Sequence, residues 1–535
     1  DDCGLYSARR LVFPNLIFNG GITFPALITL SAAFLPRFFM LFYGGDAMSA
    51  IKINNLSFAY GDNKIFDNVT LILDTSWKLG LIGRNGRGKT TFLNILCGRL
   101  EHSGTISCDT AFTYFPFEVK NDDKTAIEVL NENCPDAEDW RIMRELNMLK
   151  TDEDVLYRQF NLLSGGERTK LLLAALFATE NNFLLIDEPT NHLDAQGRRT
   201  LASYLNRKKG YIVVSHDRDF LDGCTDHILS VNRTTIDLTQ GNFSTWYKNF
   251  LNRQTFEKAQ NDRLLRDIDH LSRAAERTAT WADKAEAEKF GGPCDRGFLG
   301  HKAAKVMKRA KSAQARTERA IEQKSRLLKD SEKPDDLKMH PITHSTEQLL
   351  SLTNVTVFYG DHPASPPVTF NLKQGERIAL TGPNGCGKSS ILKLVAGEKV
   401  QYSGIITRAP NLKISYVPQI AEGLSGTVRQ FTAENGADAS LFMTILHKMN
   451  FNKDEFDRDM ADFSLGQKKK IALAHSLSQR AHIFIWDEPL NYIDIFSRMG
   501  IEKLIKQYSP TMIFVEHDSA FCQAIATRTI SLEHK

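Results

Sequence analysis

Strand-like apolar runs recur at corresponding places in the two halves of the chain. They cover residues 78–82, 183–186, 377–380 and 483–486. The run at 183–186 has no polar position, which is typical of a strand buried on both faces of a parallel sheet. Helix-like runs at 92–96 and 391–395 follow the first strand-like run of each half. The pattern therefore predicts an α/β fold built twice.

The segment between the halves has a helical period. Apolar residues three, four and seven apart predict one helix from 243 to about 290, roughly 70 Å long at about 1.5 Å per residue. This apolar stripe contains Leu264, Ile268, Leu271, Ala275 and Ala282. A second helix from about 302 to 330 is expected to return along the first. The residues that would face the first helix are Val306, Ala310, Ala313, Ala320 and Leu327. Four glycines and a proline make the turn at 290–300 irregular.

A glycine-rich sequence follows the first strand-like run of each half. Both copies, at 83–90 and 382–389, match G-x-x-x-x-G-K-[ST] between a strand and a helix, as this motif requires. Backbone amides and the helix N-terminus hold phosphate oxygens, while Lys89 and Lys388 would neutralise the terminal phosphates. The chain is therefore predicted to bind two nucleoside triphosphates. The candidate nucleotide-binding positions are Gly83, Arg84, Asn85, Gly86, Arg87, Gly88, Lys89, Thr90, Thr91, Gly382, Pro383, Asn384, Gly385, Cys386, Gly387, Lys388, Ser389 and Ser390.

Two carboxylates end a buried strand in each half. Asp187 and Glu188 follow the apolar run of the first half, and Asp487 and Glu488 follow that of the second. The carboxyl ends of parallel strands are where an α/β sheet presents its chemistry. We expect the aspartates to reach Mg²⁺ through water and the glutamates, as catalytic residues, to polarise the attacking water. The hydroxyls expected to bind the ion directly are those of Thr90 and Ser389.

The composition agrees with this architecture. The 535 residues are enough for roughly three or four domain-sized units, and 42% apolar with 24% charged residues is ordinary for a soluble chain. The net charge of +3 decides little. Eight cysteines without a C-x-x-C pair favour free thiols in a reducing cytosol over a disulfide framework.

Each half also carries a short segment, called the signature below, between the glycine-rich phosphate-binding sequence, or P-loop, and the acidic strand end. It reads Leu-Ser-Gly-Gly-Glu at 163–167 and Phe-Ser-Leu-Gly-Gln at 463–467. With these motifs the chain resembles the ATP-binding cassette superfamily. The resemblance implies two cassettes packed head to tail, so that the ATP on Lys89 would also contact Ser464 and the ATP on Lys388 would contact Ser164. It assigns nucleotide binding to Ser164, Gly165, Gly166, Glu167, Ser464, Gly466 and Gln467.

Further positions match the superfamily pattern or depart from it. The resemblance places Tyr60 and Tyr359 against adenine, and it gives His216 and His517 a catalytic contact with the γ-phosphate. The resemblance also makes Gln419 the glutamine of the loop that senses Mg²⁺. The first half has Phe117 at that place, and a phenylalanine cannot coordinate a cation. Leu465 replaces the first signature glycine. We interpret both departures as asymmetry between two active sites.

Residues 1–47 do not share this pattern. They are largely apolar from Leu11 to Tyr43, but Pro36 and Arg37 split the run below the roughly 20 residues that a membrane span needs. We expect translated upstream sequence or a misassigned start, with a signal or membrane segment as the alternative. The predicted domains are a first cassette at 48–245, a helical linker at 246–345 and a second cassette at 346–535.

The linker is basic around its predicted turn. No acidic residue lies between Asp295 and Glu318, and the cations there are Arg296, Lys302, Lys305, Lys308, Arg309, Lys311 and Arg316. A solvated hairpin that only couples two cassettes is one interpretation. A cationic hairpin with Trp281, Phe290 and Phe298 near its tip is also what a protein reaching into folded RNA presents.

The span from Met48 to Lys535 resembles the ABC-F family, and within it the Lsa-type antibiotic-resistance proteins. The matching segments are 80–91, 187–194, 240–244, 303–311 and 486–494. The resemblance implies a cytoplasmic monomer that uses ATP and Mg²⁺ to close its paired cassettes in the E site of the 70S ribosome. Its linker would push toward the P-site tRNA and the peptidyl-transferase centre of 23S rRNA. Lincosamides, pleuromutilins or streptogramin A compounds bound there would then be expelled.

Three other functions share part of this pattern. A transporter ATPase would need membrane domains or a partner that carries them. A DNA-repair cassette protein should have much longer coiled coils or zinc-binding cysteine pairs. A housekeeping ABC-F translation factor, which relieves stalled ribosomes without conferring drug resistance, shares every catalytic residue and is the main alternative. We therefore expect neither a membrane nor DNA as a partner.

Overall fold

The computed structural model describes residues 49–179, 182–287, 312, 315–316, 319, 338–421, 423–434, 438–449, 451 and 453–532. The predicted segment 1–47, the predicted linker turn and most of the predicted returning helix lie outside these ranges. The chain from Ser49 onward forms one compact unit that contains both halves. None of the helices in the described ranges combines the length and apolarity that a bilayer crossing requires.

The first half is a layered α/β unit. Its strands are β1 (Ala50–Tyr60), β2 (Asn63–Asp74), β3 (Lys78–Gly83), β4 (Ser103–Ser107), β5 (Ala111–Phe115), β6 (Asn182–Asp187), β7 (Tyr211–Val214), β8 (His227–Val231) and β9 (Ile236–Gln240). Its helices are α1 (Lys89–Leu96), α2 (Ala126–Asn133), α3 (Asp139–Met148), α4 (Gly165–Ala178), α5 (Ala195–Leu205) and α6 (Arg218–Cys224). The central sheet has the order β5-β6-β7-β3-β8-β9 and is parallel except for β9.

The second half repeats this plan. Its strands are β10 (His340–Pro341), β11 (Gln348–Tyr359), β12 (His362–Pro363), β13 (Val368–Lys373), β14 (Arg377–Thr381), β15 (Gln401–Arg408), β16 (Ile414–Val417), β17 (Arg480–Ala481), β18 (Ile483–Asp487), β19 (Met512–Val515) and β20 (Arg528–Ser531). Its helices are α8 (Lys388–Ala396), α9 (Val428–Glu434), α10 (Ala439–Lys448), α11 (Leu465–Ser478), α12 (Ile495–Tyr508) and α13 (Ser519–Ile525). The central sheet, β16-β18-β19-β14-β20, is parallel. The prediction of a twice-built α/β fold is confirmed. The helix after residue 243, which joins the two halves, is α7.

Sheet order brings the predicted site residues together. In the first half β3, β7 and β6 are neighbours, so their carboxyl ends meet at one edge. The P-loop follows β3, His216 follows β7, and β6 ends at Asp187. Strands β14, β19 and β18 place the second set in the same way. Two apolar layers support each edge, one against the antiparallel sheet of β1 or β11 and one against the helices.

Helix α7 (Phe243–Ala287) confirms the predicted long helix as far as Ala287. Leu264, Ile268 and Leu271 of the predicted stripe are half-buried, whereas Phe256 and Leu265 are exposed. The side chains of Ala275 and Ala282 lie outside the described residues. Of the predicted returning helix, the described positions are helical and exposed, namely Ser312, Ala315, Arg316 and Arg319.

The two halves pack against each other where α12 meets the first half. Ile495 belongs to the apolar core of the first half, and Phe496 packs at its edge. Arg218 of the first half forms an ion pair with Glu502 of the second at 2.9 Å. Both side chains are mostly buried. The base of α7 completes this contact through Trp246 and Phe250, whose rings lie 6.0 and 5.6 Å from that of Phe496.

Candidate nucleotide sites

The first P-loop has the backbone that a phosphate cradle requires. Gly88 has a φ of 93°, and a Cβ there would lie 2.4 Å from Ile65 Cγ2, so only glycine fits without strain. The Lys89 ammonium is buried and donates to the carbonyl oxygens of Gly83 at 2.9 Å and Arg84 at 3.3 Å. The cation is thus held over the concave side of the loop.

The second P-loop repeats this geometry. Gly387 has a φ of 86°, and a Cβ there would lie 2.1 Å from the carbonyl oxygen of Ala364. Lys388 Nζ donates to the carbonyl oxygens of Gly382 at 2.9 Å and Pro383 at 2.7 Å. Cys386 is buried inside the loop. Both loops therefore place an ammonium at the N-terminus of a helix, where phosphate oxygens are favoured.

Asp187 is hydrogen-bonded by two hydroxyls. Thr90 Oγ1 donates to Asp187 Oδ2 at 2.9 Å, and the Tyr114 hydroxyl donates to the same atom at 2.8 Å. The predicted juxtaposition of Thr90 and Asp187 is present. Tyr114 was not predicted as a site residue, although it begins the segment in which Phe117 replaces the metal-sensing glutamine. Its partner is visible only once β5 pairs with β6.

Asp487 differs from Asp187 in its burial and in its hydrogen bonds. The residue is fully buried, and neither of its carboxylate oxygens has a hydrogen-bond partner among the described residues. Burial, with the adjacent Glu488, raises the pKa of Asp487 to about 6, and the nearby Ser389, Lys469 and Lys388 oppose this rise. Buried carboxylate oxygens beside a hydroxyl are suitable ligands for Mg²⁺ or for its water shell, so these residues fit the predicted ion.

The candidate bases share an unusual backbone. Glu188 and Glu488 both have a left-handed φ, 49° and 46°, which is rare for residues with a side chain and frequent at functional sites. The amide of Glu188 donates to the carbonyl oxygen of Val214 at 3.0 Å, and that of Glu488 donates to Val515. This bond fixes each glutamate to the neighbouring strand.

The surroundings of the two glutamates differ. Glu188 Oε1 lies 3.1 Å from His216 Nε2, and burial together with Asp187 raises the pKa of Glu188 to about 8. Burial alone would raise the pKa of Glu488 as well. His517 at 3.4 Å, together with hydrogen bonds from Gln419 at 3.0 Å and Asn491 at 2.7 Å, instead lowers the pKa of Glu488 to about 2.

Gln419 thus contacts the candidate base of the second half. Its Nε2 donates to Glu488 Oε1. Asn491 was not predicted as a site residue. It lies three residues after Glu488, and Asn191 occupies the same place after Glu188 in the first half. This repeated asparagine is the sequence feature that could have pointed to it.

The signature segments begin helices α4 and α11. Ser164 and Ser464 are the N-cap residues, and each forms a reciprocal capping box with Glu167 or Gln467. Gly165 lies against His192, where an added Cβ would approach to 2.9 Å. Leu465 at the corresponding place of the second half is exposed.

Tyr60 and Tyr359 end strands β1 and β11, and both residues are more than half exposed. Ser390, in the first turn of α8, donates to the Tyr359 hydroxyl at 3.3 Å. Tyr359 therefore lies next to the second P-loop helix. An exposed ring in that place is able to stack on a base.

The first P-loop contacts the opposite half. Asn85 Nδ2 donates to the carbonyl oxygen of Tyr492 at 2.8 Å. Burial lowers the pKa of Lys89, and Asp494 of the second half is the largest opposing influence. The loop after the acid pair of one half thus lies against the P-loop of the other, as a head-to-tail pairing requires.

Comparison with known proteins agrees with this geometry. Residues 66–191 and 366–491 each match the ABC transporter family. An archaeal ribosome recycling factor, solved in complex with a ribosomal stalk protein, has the same fold with a TM-score of 0.60 and 21% identity over 90% of this chain and 88% of that chain. The fold and the paired sites define a tandem ATP-binding cassette ATPase.

Two relatives narrow the family. The chain is 27% identical to the ribosome protection protein VmlR of Bacillus subtilis, over 88% of this chain and 85% of the relative. It is 27% identical to ABC transporter F family member 5 of Arabidopsis thaliana, over 91% of this chain and 75% of the relative. The chain therefore resembles ATP-binding proteins of the ABC-F family over most of its length.

Proposed function

We propose that the chain is a cytoplasmic, monomeric ATPase that binds the E site of the 70S ribosome and protects it from drugs of the peptidyl-transferase centre. The observation that carries the proposal is the base of α7, which touches both cassettes. Trp246 and Phe250 of α7 contact Phe496 of the second half, and Trp246 is buried in the core of the first. A change in cassette packing therefore reaches the linker directly.

Helix α7 has the length that this function needs. Its 45 residues extend roughly 68 Å at about 1.5 Å per residue. Beyond Leu251 most described side chains on α7 are exposed, so the helix projects from the cassettes. The predicted basic residues at 296–316 would follow its far end and supply contacts to rRNA and tRNA phosphates. The name of the VmlR relative supports the same function.

The ATP chemistry follows from the geometry of each site. We assign Glu188 and Glu488 as the catalytic bases and His216 and His517 as their neighbours at the γ-phosphate. ATP on the Lys89 loop would be completed by Ser464, and ATP on the Lys388 loop by Ser164. Bound Mg²⁺ would neutralise phosphate charge. The residues proposed to hold it are Thr90, Asp187, Ser389, Gln419 and Asp487.

Closing two such ATP sandwiches is a rigid-body switch. It would advance the linker toward the P-site tRNA, and the drug would leave without being touched. Hydrolysis would reopen the cassettes and release the factor. The drug classes that we expect to be expelled are lincosamides, pleuromutilins and streptogramin A compounds.

Drug susceptibility tests the proposal. A sensitive bacterium expressing residues 48–535 is compared with one expressing Glu188→Gln with Glu488→Gln, at equal protein levels. Raised tolerance to at least one of the three drug classes, lost in the double variant, is expected. Unchanged tolerance to all three, with the protein still sedimenting with ribosomes, would instead identify a housekeeping ABC-F factor.

A further inference from the structure

Lys469 is a buried cation that the nucleotide-site assignments do not use. It lies on α11, and only 3% of the residue is exposed. Its Nζ donates to three main-chain carbonyl oxygens, those of Pro418 at 2.7 Å, Gln419 at 3.0 Å and Asp487 at 2.8 Å. Burying an ammonium is costly unless it is hydrogen-bonded, so this arrangement holds the three carbonyls together.

Those carbonyls belong to the catalytic centre of the second half. Pro418 and Gln419 form the loop whose glutamine side chain donates to Glu488 at 3.0 Å. Asp487 is the last residue of β18 and precedes Glu488. Lys469 therefore ties the Gln419 loop to the strand end that carries the candidate base. The β16–β18 pairing and the Gln419–Glu488 bond align the same two segments.

The helix that carries Lys469 begins at the second signature. Ser464 is its N-cap, and its capping box with Gln467 makes the first turn rigid. Ser464 is the residue proposed to contact ATP on the opposite P-loop, that of Lys89. One short rigid segment thus connects the first ATP site with the catalytic centre of the second.

The first half has no such tie at the corresponding position. Thr169 stands there, and its hydroxyl donates to Gly165 of its own helix at 2.9 Å. A hydrogen bond within one helix cannot hold a separate loop. The tie made by Lys469 therefore has no counterpart at Thr169 of the first half.

We propose that Lys469 is a positioning residue that transmits ATP engagement at Ser464 to the hydrolytic centre around Asp487 and Glu488. The inference rests on the proposed pairing of Ser464 with the ATP on Lys89, and it does not require ribosome binding. When Ser464 is drawn toward a phosphate, α11 would move as a body and shift the Gln419 loop relative to Glu488. Hydrolysis at the second site would then depend on occupancy of the first.

A double-mutant cycle in purified full-length protein tests this coupling. In a Glu188→Gln background, in which only Glu488 can act, we measure the single-turnover rate constant of ATP hydrolysis for Ser464→Ala, Lys469→Met and both together. Ser464→Ala is expected to slow hydrolysis at least fivefold when Lys469 is present and less than twofold in Lys469→Met. Lys469→Met itself should lower the rate constant and change the half-saturating ATP concentration less than twofold.

Lys468→Met is the matched control. Lys468 precedes Lys469 on the same helix, but its Nζ donates to the carbonyl oxygen of Ala461 at 2.9 Å. It should leave the Ser464→Ala effect intact. Lys469→Arg, which keeps the charge and donors, should restore part of the coupling and also serves if Lys469→Met unfolds.

Two results would overturn the inference in distinguishable ways. An equal loss from Ser464→Ala in both backgrounds would show that Lys469 transmits nothing, with the Ser464 pairing still standing. No loss from Ser464→Ala even with Lys469 present would overturn the coupling, and an unchanged ATP affinity of the Lys89 site in the same variant would overturn the pairing as well.

Discussion

Asn85 of the first P-loop donates a 2.8 Å hydrogen bond to the carbonyl oxygen of Tyr492 in the second half. Tyr492 belongs to the loop between the Asp487–Glu488 pair and helix α12 and has a left-handed φ of 65°. A P-loop of one half is thus in contact with the loop that follows the candidate base of the other. A head-to-tail pairing of the two cassettes requires a contact of this kind.

The Arg218–Glu502 pair should contribute to this packing. The guanidinium and carboxylate are 2.9 Å apart, and both side chains are mostly buried between the halves. A double-mutant cycle with Arg218→Ala and Glu502→Ala, followed by denaturant unfolding, should give a coupling free energy of about 1–2 kcal/mol. Lys64 and Asp67, an exposed pair at 3.1 Å, are the control and should couple by about 0.3 kcal/mol or less. Equal coupling for the two pairs would contradict a role in cassette packing.

Tyr114→Phe should weaken the first ATP site selectively. The substitution removes a hydroxyl that donates to Asp187 at 2.8 Å, and a hydrogen bond to a charged group is worth about 1.5–3 kcal/mol. In a Glu488→Gln background, where turnover depends on Glu188, the Mg²⁺ concentration for half-maximal hydrolysis should rise about tenfold. In the second half the Tyr416 hydroxyl is buried and has no hydrogen-bond partner among the described residues.

Tyr416→Phe is therefore the matched control. In a Glu188→Gln background it should change the Mg²⁺ requirement of the second site less than twofold. A tenfold rise there, or no rise for Tyr114→Phe, would show that the Tyr114–Asp187 bond does not distinguish the two sites.

The sequence predicted the parts of each site that depend on one motif. Glycine spacing predicted the P-loops, and the apolar run before Asp187 predicted a buried strand that ends at the sheet edge. These predictions succeed because each is encoded within a few consecutive residues. The long helix after Phe243 was predictable for the same reason, because its apolar stripe is local.

Contacts between segments that are distant in the chain could not be predicted from the sequence. Tyr114 reaches Asp187 only through pairing of β5 with β6, and Lys469 reaches Pro418 across two elements. Nothing in the residue pattern around Lys469 distinguishes it from Lys468, whose Nζ donates to Ala461 instead. The difference lies in which side of α11 faces the loop, and packing decides that.

Replacing Glu188 and Glu488 together with glutamine should separate ATP binding from hydrolysis. Glutamine keeps the size of each side chain but cannot act as a base. ATP binding should stay within about threefold of the parent protein, whereas phosphate release should fall at least a hundredfold. The double variant should then sediment with 70S ribosomes in the presence of ATP. Normal phosphate release would show that the hydrolytic base lies elsewhere.

The basic linker patch should determine how ribosome binding depends on salt. Replacing Lys305, Lys308 and Arg309 with Ala removes three cations, and each lost phosphate contact reduces the slope of log K against log salt by about 0.7–0.9. The slope should therefore flatten by about two to three if all three contact phosphate. The measurement is sedimentation with 70S ribosomes between 50 and 200 mM salt, concentrations at which such contacts change affinity by orders of magnitude.

A charge-matched control separates specific contacts from net charge. Lys64, Lys373 and Arg429 form exposed ion pairs on the cassettes, and their replacement with Ala also removes three cations. This variant should keep the parental slope within about 0.5, since a cation already paired with a carboxylate releases few counterions from RNA. If the linker variant kept the parental slope as well, the patch would be solvated surface. Ribosome contact would then have to come from the cassettes. If both variants flattened the slope equally, the effect would be one of overall charge.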